Sequence, residues 1–420
     1  LEVHAAIEQL FRKAHGQLVA RLTHTYGIAN LEKVEDAVQE ALLKAMQVWG
    51  YTKMPDNPVA WLYIVARNKL IDQLRKDRKK IPDSDPGIRL PSSDPAIDEA
   101  FVPDHVIADS QLKMIFACCH PALSTQYQLI LSLKLIGGFS NRELADALLK
   151  KEETVAKAFT RAKKQLKERV KNLESPMGIG LRSRLFVVLR VIYLLFNEGY
   201  AANAGTQVVK RDICYEAIRL ALLLRDNPYC RHPELEALIA LMCFHASRFD
   251  ARIDTHGKLM DLEHQNRRLY NKDLIRIGCH HFRLAAMPPG ENSRYYLEAA
   301  VSYEHCRAVA FKETRWGKIL ELYDRQLEYY DSPVVALNRL VPYYFVHGYK
   351  KGRVALAAYQ ARDDYRASAL YYAISAEIFK GLGQYPEALK ALQSAIKLSK
   401  NGAESAHFRK KAEALQQRSM

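Results

Sequence analysis

The stretch Val34–Lys76, VEDAVQEALLKAMQVWGYTKMPDNPVAWLYIVARNKLIDQLRK, decides how the chain is read. Val34, Ala37, Val38, Ala41, Leu42, Ala45, Val48 and Trp49 recur at three- and four-residue steps, the period of a helix with one apolar stripe. Glu35, Asp36, Gln39, Glu40 and Lys44 take the other side. Gly50 suits a helix end, because glycine accepts a left-handed conformation without strain. Asn57 followed by Pro58 reads as the cap and first residue of a second helix. Trp61, Ile64, Val65 and Leu74 supply packing there, while Arg67, Asn68, Lys69, Asp72, Arg75 and Lys76 load the later turns with polar and cationic groups.

Upstream, residues 5–26 carry Ile7, Leu10, Phe11, Leu18 and Leu22 at helical spacing, and Gly27 closes the run. Downstream the composition changes. Residues 81–109 hold Pro82, Pro86, Pro91, Pro95 and Pro103, seven acids, and Arg89 as the one cation. Such a segment has too little apolar surface for a core and reads as a linker. From Ser110 to about Leu173 a helical block returns, with Leu112, Ile115, Phe116, Leu129, Ile130, Leu133 and Leu135 as its core. Gly137-Gly138 interrupts it. Ser140 with Glu143 three residues on forms a capping box. Leu144, Ala145 and Leu148 then mark a short helix, and Val155, Phe159, Ala162 and Leu166 a longer one, which is a helix-turn-helix layout. The longer helix presents Thr154, Lys157, Thr160, Arg161, Lys163, Lys164 and Lys167, a basic face suited to a DNA groove.

Both halves of this pattern resemble bacterial sigma factors of the extracytoplasmic-function group. E-D-A-V-Q-E-x-x-L-K-A and P-x-A-W-L-Y-x-V-A-R-N-x-x-I-D-x-L-R are similar to region 2. F-S-N-x-E-L-A-x-A-L and T-V-x-x-x-F-x-R-A-K-x-x-L are similar to region 4. The resemblance implies that Asp36, Gln39, Glu40, Leu43 and Lys44 bind core RNA polymerase. It implies that Asn57, Trp61, Arg67, Asn68, Lys69, Asp72 and Arg75 hold the unpaired −10 strand. It assigns the −35 duplex to Thr154, Lys157, Thr160, Arg161 and Lys164. From the residues alone, Asn57 reads equally as a helix cap, and Trp61 either as a platform for a base or as a core tryptophan. Ala156 and Ala158 stand where relatives often carry Arg or Lys, so a different base preference is expected. The linker's acidity fits either a nucleic-acid mimic or simple solvation.

The chain then runs well past region 4. Pro176 and Gly178 mark a boundary, and the remainder reads as helical except for Phe249 to His264, where a turn or short hairpin is expected. From about residue 294 a step of 35 residues recurs, in Ile319, Val354 and Leu389, in Leu322, Ala357 and Leu392, and in Ala300, Val335 and Leu370. GLGQYPEALKALQSAIKLS resembles a tetratricopeptide helix, and helix-pair units of this length stack into a solenoid. With Phe196-Asn197-Glu198-Gly199-Tyr200 and Ser332 to Arg339, the chain resembles the sigma-factor subgroup with a tetratricopeptide-containing extension. Asp254-Thr255-His256-Gly257 departs from that subgroup's D-x-D-G.

The expected architecture is therefore all-α: a region 2 bundle (1–80), an acidic linker (81–109), a region 4 helix-turn-helix (110–174), a helical extension (175–293) and tetratricopeptide-like repeats (294–420). A net charge of +15 over 420 residues favours a polyanionic partner. Core RNA polymerase, promoter DNA and a protein partner on the extension are the expected partners. Neither a membrane-length apolar run nor a secretory signal is legible, so a cytoplasmic location is expected. The seven cysteines show no repeated spacing. Cys118-Cys119-His120 and Cys279-His280-His281 put adjacent ligands on diverging helix directions, so no metal and no cofactor are expected. Glu198, Asp254, His256 and Glu263 lack any nucleophile–base spacing, so no enzyme is expected. The rival reading is a helical-repeat adaptor whose basic half binds nucleic acid without starting transcripts.

Overall fold

A computed structural model describes residues 2–49, 54–78, 104–148, 150–173, 179–201, 211–254, 259–286, 293–330, 332–360, 368–399 and 402–419. Gly50 to Lys53, the acidic segment up to Pro103, Pro176, Gly178, Thr255 to Lys258, and the side chains of Ile7 and Leu10 lie outside them. Among the described residues the regular structure is helical throughout, as expected, with 19 helices and no strand. An isolated antiparallel bridge joins Ile253 to Leu259. The chain divides into two compact units, 1–146 with 150–195 and 147–149 with 196–420.

The first unit begins with α1 (Glu2–Tyr26), α2 (Leu31–Trp49) and α3 (Pro58–Arg78). Their stripes meet, and Leu18, Leu22, Leu31, Val34, Val38, Leu62, Leu70 and Leu74 are buried. Gly27 ends α1 at φ 86°, a conformation that favours glycine, and its N–H donates to the Thr23 carbonyl at 2.9 Å. Asn57 caps α3, its Oδ1 accepting from the Ala60 N–H at 3.0 Å.

Four more helices follow: α4 (Asp104–Cys118), α5 (Thr125–Leu131), α6 (Asn141–Leu148) and α7 (Glu152–Arg169), with a π-helical turn at Ser132–Ile136. The capping box forms, since Glu143 Oε2 accepts from the Ser140 N–H at 2.8 Å and Ser140 Oγ from the Glu143 N–H at 3.2 Å. The linker ends sooner than the composition implied. Helix α4 starts at Asp104, directly after Pro103, so Asp104 and Asp109 belong to a helix rather than to a tether. A helix can begin after proline but rarely runs through it.

Helix α1 also packs on α4 and on the π-helical turn. The approach is close enough that a methyl group on Gly16 would collide with the Ile136 carbonyl oxygen. The unit closes with the first part of α8 (Ile179–Ala201). Arg184 donates to the Phe116 carbonyl, and Arg190 Nη2 to Thr125 Oγ1 at 2.5 Å. These bonds explain why the compact unit runs to Leu195, beyond the boundary placed at residue 175.

In the second unit come α9 (Arg211–Asp226), α10 (Pro233–Ala246), α11 (Phe249–Arg252), α12 (Lys272–Ala285), α13 (Arg294–Arg307), α14 (Trp316–Tyr329), α15 (Pro333–His347), α16 (Tyr349–Gln360), α17 (Ala369–Gly381), α18 (Tyr385–Leu398) and α19 (Gly402–Ser419). Of the stretch from Phe249 to His264, expected to be a turn or short hairpin, Phe249–Arg252 is a short helix instead, and the residues between the bridged Ile253 and Leu259 lie mostly outside the described ones; beside that bridge, Met260 N–H donates to the Arg252 carbonyl at 2.9 Å. From α13 onward each helix packs on its neighbours in the chain. Three cores succeed one another, around Leu297 and Ile319, around Leu340 and Ile378, and around Leu392 and Phe408.

The 35-residue step needs one correction. Ile319, Leu322 and Leu392 are buried, but Val354 is 75 % exposed and Ala357 is exposed too. Gly352 and Leu356 face inward in their place. Gly352 lies tightly against Tyr344, where a β-carbon would come within 2.8 Å, so α16 is turned to present its smallest residue there.

Candidate nucleic-acid interface

Helix α2 presents two different sides. Ala37, Val38, Ala41 and Ala45 are buried, whereas Asp36, Gln39, Glu40, Leu43 and Lys44 are all exposed. Leu43 is 59 % and Met46 61 % exposed, side by side on that open face. Two large apolar side chains there mark a surface suited to a protein partner.

Helix α3 starts beside it. Trp61 is half-buried, with its ring 5.3 Å from that of Trp49, which in turn lies 5.8 Å from Phe11. Trp61 is thus part of the bundle's packing while keeping some open surface. Asn57, Asn68, Asp72 and Arg75 are exposed, and Arg67 and Lys69 half-buried. Lys69 Nζ pairs with Glu40 Oε2 at 2.5 Å, tying a residue expected at the −10 strand to one expected at polymerase.

On α7, Thr154, Lys157, Thr160, Arg161 and Lys164 are exposed, while Val155, Phe159, Ala162 and Leu166 are buried. Lys157 pairs with Glu153 at 2.6 Å, and Thr160 Oγ1 donates to the Ala156 carbonyl at 3.1 Å. Lys163 and Lys167, read from the sequence as open, are engaged elsewhere. Lys163 Nζ meets Glu35 Oε2 at 2.6 Å, and Lys167 Nζ meets Glu32 Oε1 at 2.7 Å. Burial pushes the Glu35 carboxyl above its ordinary value, only partly opposed by Lys163. At Glu32 burial also acts upward, but hydrogen bonding and the charges of Lys167 and Lys163 together outweigh it and the carboxyl ends below its ordinary value. Lys134 stands beside this cluster, 5.3 Å from the Phe159 ring centroid on which Lys163 also rests at 4.6 Å. The sequence held one hint of the match: acids three apart on α2 and lysines four apart on α7, each pair about one helical turn.

The polar residues singled out in the extension differ in surroundings. Glu198 is half-buried, burial pushing its carboxyl up, and Glu263 is exposed. His256 lies outside the described residues. What the sequence did not reveal is the cluster where Arg248 donates to Tyr200 Oη at 3.1 Å and Arg252 lies 3.7 Å over the Tyr200 ring. Cys118 and Cys119 are buried, burial driving the Cys119 thiol up to about 12, and His281 Nδ1 pairs with Glu236 at 2.5 Å. Among the described residues no group of three His, Cys, Asp or Glu side chains is placed to hold a metal ion, and no helix is long and apolar enough to cross a membrane.

Comparison with known proteins fits this geometry. Residues 11–80, which include α2 and α3, match Sigma-70 region 2, and residues 113–166, ending in α7, match Sigma-70 region 4. An uncharacterized protein of Rhizobium meliloti (strain 1021) is 34 % identical over 384 residues, 90 % of this chain and 89 % of that relative. The chain belongs to the sigma-70 family. This sigma factor carries a C-terminal extension, of which residues 184–286 match a family of unknown function (DUF6596). No solved structure matches it. As an RNA polymerase sigma factor it has core polymerase and promoter DNA as partners, and the family consists of DNA-binding regulators rather than enzymes.

Proposed function

We propose that this sigma factor directs core RNA polymerase to particular promoters through three sets of residues, the first two adjoining at the Lys69–Glu40 pair. The open face of α2, with Asp36, Gln39, Glu40, Leu43 and Lys44, takes polymerase. The start and later turns of α3, with Asn57, Trp61, Arg67, Asn68, Lys69, Asp72 and Arg75, take the unpaired −10 strand. Helix α7 enters the −35 major groove with Thr154, Lys157, Thr160, Arg161 and Lys164. The observation that carries this reading is that the five α7 residues and the five α2 residues are all exposed while the intervening stripes are buried. Basic and hydroxyl groups along one helix can contact phosphates and base edges together. The extension, with its sequential helix pairs, is a tetratricopeptide-like stack that binds a regulatory protein partner.

The test is run-off transcription by purified core polymerase with this protein, on promoters selected from random DNA. Selective transcripts are expected, and Asp36→Arg should abolish them while leaving thermal unfolding unchanged. A protein that neither binds core polymerase nor changes its start sites would sink the reading.

A further inference from the structure

The clasp between α2 and α7 bears on how the −35 reader is controlled. At about 100° per residue, Lys167 lies about 20° around α7 from Thr160, and Lys163 about 60° from it on the same side. These two lysines therefore continue the face that carries Thr160 and Lys164. That edge is covered in this structure. The Lys163 and Glu35 side chains are only 14 % and 8 % exposed, and Lys167 and Glu32 are 31 % and 45 % exposed. Carboxylate oxygens accept from lysine ammonium groups much as phosphate oxygens would.

We infer that Lys163 and Lys167 are additional contacts to the phosphates of the −35 duplex, and that Glu32 and Glu35 withhold them by standing in for those phosphates until the clasp opens. The inference rests on α7 being the duplex-reading helix. A duplex engaging Thr160 and Lys164 would meet α2 at the adjacent edge, so full engagement requires the clasp to part. Glu35 also offsets two cations, since it attracts both Lys134 and Lys163, which approach the same Phe159 ring. Removing its charge leaves those lysines to repel each other and favours opening.

The experiment uses the full-length protein and a mixed-sequence 30-base-pair duplex, with anisotropy titrations across a range of salt. E32Q/E35Q should bind roughly tenfold more tightly at low salt, with a log–log salt slope steeper by about 1.8 for two released lysines. E32Q alone alters a half-exposed carboxylate and so spares the core. It should steepen the slope by about 0.9. Adding K163Q/K167Q to E32Q/E35Q should cancel the gain. A gain that survives this addition overturns the proposal, because mere loss of negative charge would then explain it. An unchanged slope in both E32Q and E32Q/E35Q overturns it as well. In that case R161A/K164A, which should weaken binding in every background, shows whether α7 reads the duplex at all. If R161A/K164A has no effect, the underlying reading fails together with the inference.

Discussion

The N-terminal unit and the helical block after residue 294 are both built from amphipathic helices, yet they are held in opposite ways. In the first, contacts join helices far apart in sequence: Gly16 meets Ile136, Glu35 meets Lys163, and Glu32 meets Lys167. In the second, α13 through α19 pack largely on the next helix along, around apolar cores. Local contacts form with little loop closure and give additive, nearest-neighbour stability. The long-range joint combines close backbone packing with charged pairs. The block after residue 294 is thus held by apolar cores, while the N-terminal joint carries ion pairs between distant helices.

The largest effect should come from the block after residue 294. Leu340 is fully buried, so Leu340→Ala should cost about 2–5 kcal/mol in chemical denaturation. A loss below about 1 kcal/mol would show a block far more plastic than its packing implies. Next is the joint itself. Gly16→Ala forces a methyl group against the Ile136 carbonyl and should cost about 1–3 kcal/mol. It should also steepen the salt dependence of duplex binding, as the acid-to-amide variants do. A destabilised protein with unaltered binding would separate the packing contact from the ionic one.

One ionic contact lies within the second unit and tests whether all charged ties behave alike. Asp261 accepts from His407 Nε2 at 2.9 Å and pairs with Lys411 Nζ at 3.0 Å, on the last helix. Burial acts upward on its carboxyl, but His407 and Lys411 prevail and hold it well below the ordinary aspartate value of 3.8. A depressed carboxylate contributes stability above its unfolded pKa and loses it as pH falls through the folded one. The wild-type melting temperature should therefore fall more steeply below about pH 4 than that of Asp261→Asn. Parallel pH profiles would remove Asp261 as a tie. The smallest effect is expected at Val354→Ala, within about 0.5 kcal/mol, because that side chain lies outside the core that a regular repeat would give it.

Much of this was legible before any coordinates. The stripes of α2, α3 and α7 were, since a buried helix face repeats at a fixed step. So were the Asn57 cap, the Ser140–Glu143 box and the Gly27 stop, each of which acts within four residues. Asp36, Gln39, Glu40 and Lys44, and Thr154, Lys157, Thr160, Arg161 and Lys164, were placed on open faces by the same periodicity, but of Glu35 and Lys163, placed there too, the first is buried and the second half-buried against it. The start of α4 was missed because acids and prolines describe a helix entrance as well as a tether. Val354 was misread because a repeat fixes spacing but not the rotation that Gly352 allows.

By itself the sequence determined the apolar stripes of α2, α3 and α7 and where cations gather, because these follow from interactions a few residues long. The partner of each charge was decided only by the tertiary structure. Lys163 and Lys164 are neighbours of identical chemistry, yet one is paired with Glu35 and the other faces solvent. A helix turns about 100° per residue, so adjacent side chains meet different surroundings, and only the approach of Glu35 on α2 to α7 says which one is engaged.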